Sequence, residues 1–312
     1  MLGSGRVVEM AAALRADLYH VHEPALLAPM IRHAGGAPVI WDVHEPYLGY
    51  LSESRWLPTP LRPLARFVWD KVERHSVRRC AAVVPATEWL APRYQALHDR
   101  VVVVANFPRL GWLGDGDACT RRRNALVYAG SILPNRGVQQ VLHAMASLIR
   151  RGTEVTLDLA GHSSASFLEE VFATVGRLGL DEYVRYHGAL RHEEAIALQR
   201  TCGIGLNVSL PGPGTQYGYP VKMFEFMLLG LPVVYSDLPT FRSVAGSADA
   251  GIAVDPEQPD QIADAIAHLL TNRERAAELG ANGRRAVQER FNWNAEWHKL
   301  QALYRELVGV RR

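Results

Sequence analysis

Tyr217-Gly-Tyr-Pro-Val-Lys222-Met-Phe-Glu225-Phe-Met-Leu-Leu-Gly230-Leu-Pro-Val-Val-Tyr-Ser236 is the stretch whose reading decides the fold. A glycine-rich run, Pro211 to Gly218, opens into an apolar helical pattern beginning at Pro220. Proline suits a first helical turn, where its missing N–H would have had no partner. Free backbone N–H groups and the positive dipole end at such a start favour an anion, and Lys222 lies in that turn. Glu225 follows about one turn in, within reach of sugar hydroxyls beside a phosphate. Gly230 then closes the helix, and Leu231–Tyr235 reads as a buried strand. An anion cradle beside a carboxylate suits a nucleotide sugar. The same punctuation joins helices to strands in any doubly wound domain, so the surrounding chain has to decide.

Working outward, short apolar runs bounded by turn signals recur at 38–43, 81–85, 101–105, 125–129, 155–160, 203–208 and 231–235. Helical patterns at 138–150, 166–178, 192–200, 259–270 and 273–290 alternate with them. That alternation predicts parallel sheets with helices on both faces. The polar stretch 108–123, with Gly111, Gly114, Gly116 and Arg121 to Arg123, reads as a linker between a smaller first unit and a larger second one.

Several strand ends of the second unit carry glycine: Gly130 and Ser131 with Arg136 beyond them, Gly161 with His162, and His187 with Gly188. Ligands of such sheets bind beyond the carboxyl ends of the strands, so these joints point to one crevice. Arg136 offers a guanidinium fork to a phosphate.

Bulk properties exclude several function classes. The 312 residues suffice for about two domains, and 48% hydrophobic with 21% charged residues is ordinary for a globular protein. A net charge of +2 gives no nucleic-acid footprint. Cys80, Cys119 and Cys202 form no paired motif, no apolar run approaches a membrane span, and the start lacks a signal-peptide core. The expectation is a cytoplasmic protein.

The ordered combination Tyr128 to Ser131, Arg136-Gly137, Asp158 to Gly161, Tyr186 to Gly188 and Lys222 to Ser236 resembles the donor domain of GT-B glycosyltransferases, specifically glycosyltransferase family 4. The tail from Phe291 through Tyr304 resembles the family's closing helix. The resemblance implies a GT-B α/β fold, two Rossmann-like domains facing each other across a cleft: 1–112 on the acceptor side, 113–290 binding the nucleotide sugar, and 291–312 crossing back. It implies sugar transfer from a nucleoside-diphosphate sugar to a glycan, lipid-linked or small-molecule acceptor, with retention, no cofactor and no required metal. It also implies roles: Glu225 for the ribose, backbone amides near Val221 and Lys222 with Arg136 for the diphosphate, and the His187–Gly188 loop for the base. The donor segment so read is Tyr217, Gly218, Tyr219, Pro220, Val221, Lys222 and Glu225, with Gly130, Ser131 and Gly161 beside it. The catalytic set is His44, Arg136 and Lys222. One departure stands out: Tyr217 occupies the place of the family's first motif glutamate, a change shared by members with the Tyr-Pro-x-Lys-x-x-Glu pattern.

The first unit carries Asp17-Leu-Tyr-His20-Val-His22-Glu23 and Trp41-Asp42-Val-His44-Glu45. Alternate residues on a strand share a face, so His20, His22, Asp42 and His44 could ligate a metal if the two clusters met, but no spacing in the sequence fixes their separation. The resemblance instead implies strand ends at the cleft, with His44 near the transferring sugar and His22 in reserve, and no metal site. The stretch 61–79 places six basic residues among Leu64, Phe67, Val68 and Trp69. It is either a solvated face or a peripheral contact with an anionic membrane. The first unit also looks shortened at its start relative to the family, leaving an incomplete first domain. Other readings are a nucleotide-sugar epimerase, or a reduced chain acting as the partner subunit of a complete transferase.

Overall fold

A computed structural model describes residues 4–53, 57–113 and 121–309. The chain forms two compact units: 1–106 with 217–219 and 293–312, and 107–216 with 220–292. Cys119, Gly114 and Gly116 lie outside the described residues.

In the first unit, β1 (Tyr19–Val21), β2 (Val39–Val43) and β3 (Ala82–Pro85) form a parallel sheet in that order. Alternation along β2 sorts its side chains. Val39, Trp41 and Val43 join Val21, Leu27 and Met30 in one core, and Ile40 joins Val84, Leu300, Leu303 and Leu307 in the other. Helix Trp293–Gly309 therefore covers one face, and helix Pro24–His33 supplies apolar residues to the core on the other.

The run 101–105 reads as a strand from sequence but makes only one bridge, Val83 to Val101. Its backbone still follows β3, with Val102 N donating to Val83 O and Val104 N to Pro85 O. The ladder breaks because Pro85 has no N–H to return.

The second unit holds β4 (Arg122–Ala129), β5 (Thr156–Ala160), β6 (Val184–Tyr186), β7 (Cys202–Asn207), β8 (Val233–Ser236) and β9 (Gly251–Val254). All are parallel, in the order β6-β5-β4-β7-β8-β9. The winding reverses between β4 and β7, which makes their carboxyl ends the crevice where such sheets bind ligands. Helix Val138–Arg150 shows why the sequence folds this way. Val138, Val141, Leu142, Met145 and Leu148 recur at helical spacing and are all buried. At about 2 kcal/mol for each large apolar side chain removed from water, that stripe alone anchors the helix to the sheet.

Two local expectations need correction. Arg122 and Arg123 belong to β4 rather than to a linker, because Arg122 ties to the buried Asp158. The glycine-rich run 211–218 also contains a short helix of its own, Pro213–Tyr217, which its composition did not suggest. Thr215 braces it by donating its hydroxyl to Leu210 O.

Candidate functional site: a cationic crevice in the second unit and a histidine cluster in the first

Helix Val221–Leu228 starts one residue later than its proline suggests. Pro220 is the N-cap, extended at φ −79° and ψ 92°, and its carbonyl accepts from Met223 N. Gly230, at φ +71°, ends the helix in the left-handed conformation glycine tolerates. Met223, Phe224, Phe226 and Met227 anchor the buried face, leaving Val221 exposed and Lys222 on the sheet side.

Lys222 Nζ lies 3.7 Å from the centre of the Tyr128 ring, over its face, at the end of β4. Its stem passes Gly130 so closely that a Cβ there would touch Lys222 Cδ at 3.6 Å. Tyr128 is fully buried, and its hydroxyl donates to Ser131 O and Arg136 O, holding the turn that carries Arg136. Burial and the neighbouring Arg136 push the Lys222 ammonium down to about 7, against a smaller opposing pull from Glu225. Neither the Lys222 nor the Arg136 side chain forms an ion pair among the described residues. Two cations are thus held together with no anion between them.

Glycines shape the floor. A Cβ on Gly161 would sit 1.7 Å from Gly130 O, so the ends of β4 and β5 approach only without one. Gly161 N donates to Gly188 O, linking that loop to the same floor. Gly137, at φ +74°, brings the start of the next helix onto Val208 O, 2.3 Å from where a Cβ would lie. At the end of β7, buried Asn207 Nδ2 and Ser209 Oγ have no hydrogen-bond partner among the described residues. Orphaned polar atoms in such a place are what a ligand satisfies.

Glu225 lies one helical turn beyond Lys222. His192 Nε2 and Gln199 Nε2 each approach one of its carboxylate oxygens at 3.1 Å. Each oxygen keeps a lone pair for a further donor. His187 Nε2 sits 2.7 Å from Asp158 Oδ1, while Arg122 donates to Oδ2 at 2.7 Å. Burial raises the Asp158 carboxyl, but the bonds from His187 and Arg122 outweigh it and hold the group below its ordinary value. The structure thus gathers Gly130, Ser131, Arg136, Gly161, His187, Gly188, Pro220, Val221, Lys222 and Glu225 within the second unit. Tyr217, Gly218 and Tyr219 group with the first unit, where Tyr217 O accepts from Thr87 Oγ1 at 2.7 Å. Burial next to Glu88 and Glu296 pushes the Tyr219 phenol up to about 12. Asp158, Gln199 and His192 escaped the sequence reading as supports, since they act across strands and helices that no local pattern connects.

In the first unit His44 does not stand alone. His20 Nε2 is 2.9 Å from Asp42 Oδ2, His22 Nδ1 is 3.4 Å from the same oxygen, and His44 Nε2 is 3.3 Å from Oδ1. His22 Nδ1 and His44 Nε2 are 2.9 Å apart. Burial lowers the pKa of His22; Asp42 opposes this, and His20 and His44 add to it.

Residues 123–272 match the family described as Glycosyl transferases group 1, and residues 3–106 match the Glycosyl transferase 4-like domain. Together the two matches span most of the chain, which is a glycosyltransferase with the GT-B fold. The glycosyltransferase is 26% identical over 293 residues to the alpha-D-kanosaminyltransferase of Streptomyces kanamyceticus, covering 87% of this chain and 71% of that protein. It is 25% identical to the GDP-mannose-dependent alpha-(1-6)-phosphatidylinositol monomannoside mannosyltransferase of Mycobacterium tuberculosis, covering 88% and 71%. Among solved structures, the sucrose-phosphate synthase of Thermosynechococcus elongatus superposes with a TM-score of 0.79 at 20% identity, over 98% of this chain and 78% of that one. HepE of Anabaena, solved with UDP, superposes at 0.78 and 16% identity, over 97% and 82%. No helix among the described residues is long and apolar enough to cross a membrane.

Proposed function

We propose that this glycosyltransferase moves a sugar from a nucleoside-diphosphate sugar to an acceptor hydroxyl with retention, and that no metal is needed to hold the diphosphate. The carrying observation is the pair of cations, Lys222 and Arg136, set beside a helix start with no anion of their own. A diphosphate supplies the missing charge. It would draw Lys222 from the Tyr128 face, with Arg136 and the first amides of helix Val221–Leu228 as further donors. Negative charge grows on the leaving diphosphate as the glycosidic bond breaks, so fixed cations there stabilise the transition state more than the ground state. Glu225 is assigned to the ribose hydroxyls and the His187–Gly188 loop to the base. His44 is assigned to orienting the transferring sugar, and the acceptor is a glycan, lipid-linked or small molecule.

Thermal shifts with uridine, guanosine and adenosine diphosphates test the reading. A ligand that binds only the folded state raises the melting temperature, and the productive base should do so most strongly. The anomeric configuration of the product, read by NMR, then tests retention. Failure of every nucleoside diphosphate to shift melting would remove the proposal.

Helix Arg62–Val77 supports a peripheral contact on the acceptor side. Leu64, Phe67, Val68 and Val72 are exposed on it alongside Arg66 and Lys71. Apolar side chains rimmed by cations suit an anionic lipid surface, and that is the support for placing the protein peripherally at the cytoplasmic membrane face. Flotation with anionic vesicles at low salt checks this, with Phe67→Asp expected to abolish co-migration.

A further inference from the structure

We propose that His20, His22, Asp42 and His44 form a binding site for a borderline-soft divalent transition ion such as Zn2+, independent of the diphosphate-binding cations. Parallel pairing of β1 with β2 brings the two clusters together, with His20 in register with Ile40 and Val21 with Trp41. His20, His22 and Asp42 each offer a donor atom within 4.8 Å of the others, and beside them His44 Nε2 lies 2.9 Å from His22 Nδ1 and 3.3 Å from Asp42 Oδ1. A tetrahedral ion with bonds of about 2.0–2.1 Å spaces its ligands roughly 3.3 Å apart, so the three draw together on binding and His44 takes the fourth position.

One further observation points to a ligand. His20 Nε2 is buried and has no well-aligned hydrogen bond among the described residues, although Asp42 Oδ2 is 2.9 Å away. A cation between the two satisfies both, where the direct contact does not. His22 Nδ1 and His44 Nε2 share a hydrogen bond of 2.9 Å, whose proton a metal ion would displace on binding.

The outer contacts suit ligation. Tyr304 Oη lies 2.5 Å from His20 Nδ1, and the Asn106 amide lies 3.0 Å from His44 Nδ1. Each engages the ring nitrogen opposite the convergent one, which is how metal-bound imidazoles are oriented. Asn106 presents Nδ2 to His44 Nδ1, so a half-turn of the amide, which brings its oxygen to Nδ1–H, accompanies ligation through Nε2. Asp42 is 7% exposed, whereas the His22 side chain is 55% exposed, so the ion would enter past His22. Three imidazoles and one carboxylate select Zn2+, Co2+, Ni2+ or Cu2+ over Mg2+ or Ca2+. An ion held by His44 would take that imidazole away from a sugar, so occupancy and turnover should oppose each other.

The test uses the full-length, untagged chain after chelation and dialysis. Calorimetry with ZnCl2 should show one site per chain, with MgCl2 giving none. Co2+ loading should produce the visible bands of a tetrahedral nitrogen-ligated ion. His22→Ala should weaken Zn2+ binding about a hundredfold, and Tyr304→Phe about tenfold through the orientation of His20. His22 is largely exposed, so its variant should fold, and circular dichroism verifies this. Lack of Zn2+ binding by the intact chain, equal affinity in folded His22→Ala, or equal response to Mg2+ would overturn the proposal. These readouts require neither donor nor acceptor, so failure here is separable from failure of the transferase reading.

Discussion

In the second unit, Lys222 and Arg136 are gathered without a carboxylate between them; in the first, three imidazoles are gathered around the carboxylate of Asp42. The first arrangement stores repulsion and burial cost that an arriving anion relieves. The second stores an excess of nitrogen lone pairs that an arriving cation relieves. Both are built at strand carboxyl ends of parallel sheets, so the fold supplies the place and the residue types decide the sign of the ligand. In both proposals an unmet charge, rather than a cavity, is what the ligand answers.

Removing the cations should break that contrast most severely. Lys222→Ala should lower kcat about 10²- to 10³-fold, the effect of losing a charge aimed at a developing anion, and Arg136→Ala should act in the same direction. Melting temperature should stay level or rise in Lys222→Ala, because a disfavoured buried ammonium is gone. Steady-state kinetics beside a melting curve check both. Loss of turnover with a collapse in stability would mean that Lys222 is structural.

Asp42→Asn attacks the other side. It removes the anion that His20, His22 and His44 share, and should cost about 1.5 kcal/mol of stability, the scale of hydrogen bonds to a charged group. Denaturant unfolding measures it. A neutral result would show that the imidazoles do not depend on Asp42 for their packing.

How much of this was legible differs between the two sites for a physical reason. The segment around helix Val221–Leu228 is local. Pro220, Lys222, Glu225 and Gly230 lie within one helix and its caps, so spacing alone nearly placed them, missing only that Pro220 caps the helix rather than entering it. The histidine cluster is non-local. Alternation put His20 with His22 and Asp42 with His44, but only the β1–β2 register sets one pair against the other. The run 101–105 failed for a subtler reason, since one proline in its neighbour removed the donor that a ladder needs. Asp158 beneath His187, and Gln199 beneath Glu225, were invisible because burial of a lone polar residue leaves no periodic signal.

Glu225→Ala should have a smaller effect than the cations, weakening nucleotide diphosphate binding about tenfold to a hundredfold through the loss of charge-assisted hydrogen bonds, with less change in kcat. Titration calorimetry with the preferred nucleotide checks the split. His192 and Gln199 would be left without their acceptor, so Glu225→Gln is the cleaner companion variant.

The mildest effect is the most specific to the contrast. With Lys222 held near 7, much of it is neutral at pH 8 in the free protein. A diphosphate binds the charged form and raises its pKa, so binding must take up a proton there. Apparent affinity should therefore be full below about pH 7 and fall by nearly tenfold per unit above it, in a range where the diphosphate itself no longer titrates. Calorimetry at pH 8 in two buffers of different ionisation enthalpy should report close to one proton absorbed, and Lys222→Met should report none while losing the slope. A slope that survives in Lys222→Met would move the proton to another group and deny this lysine its part in meeting the anion.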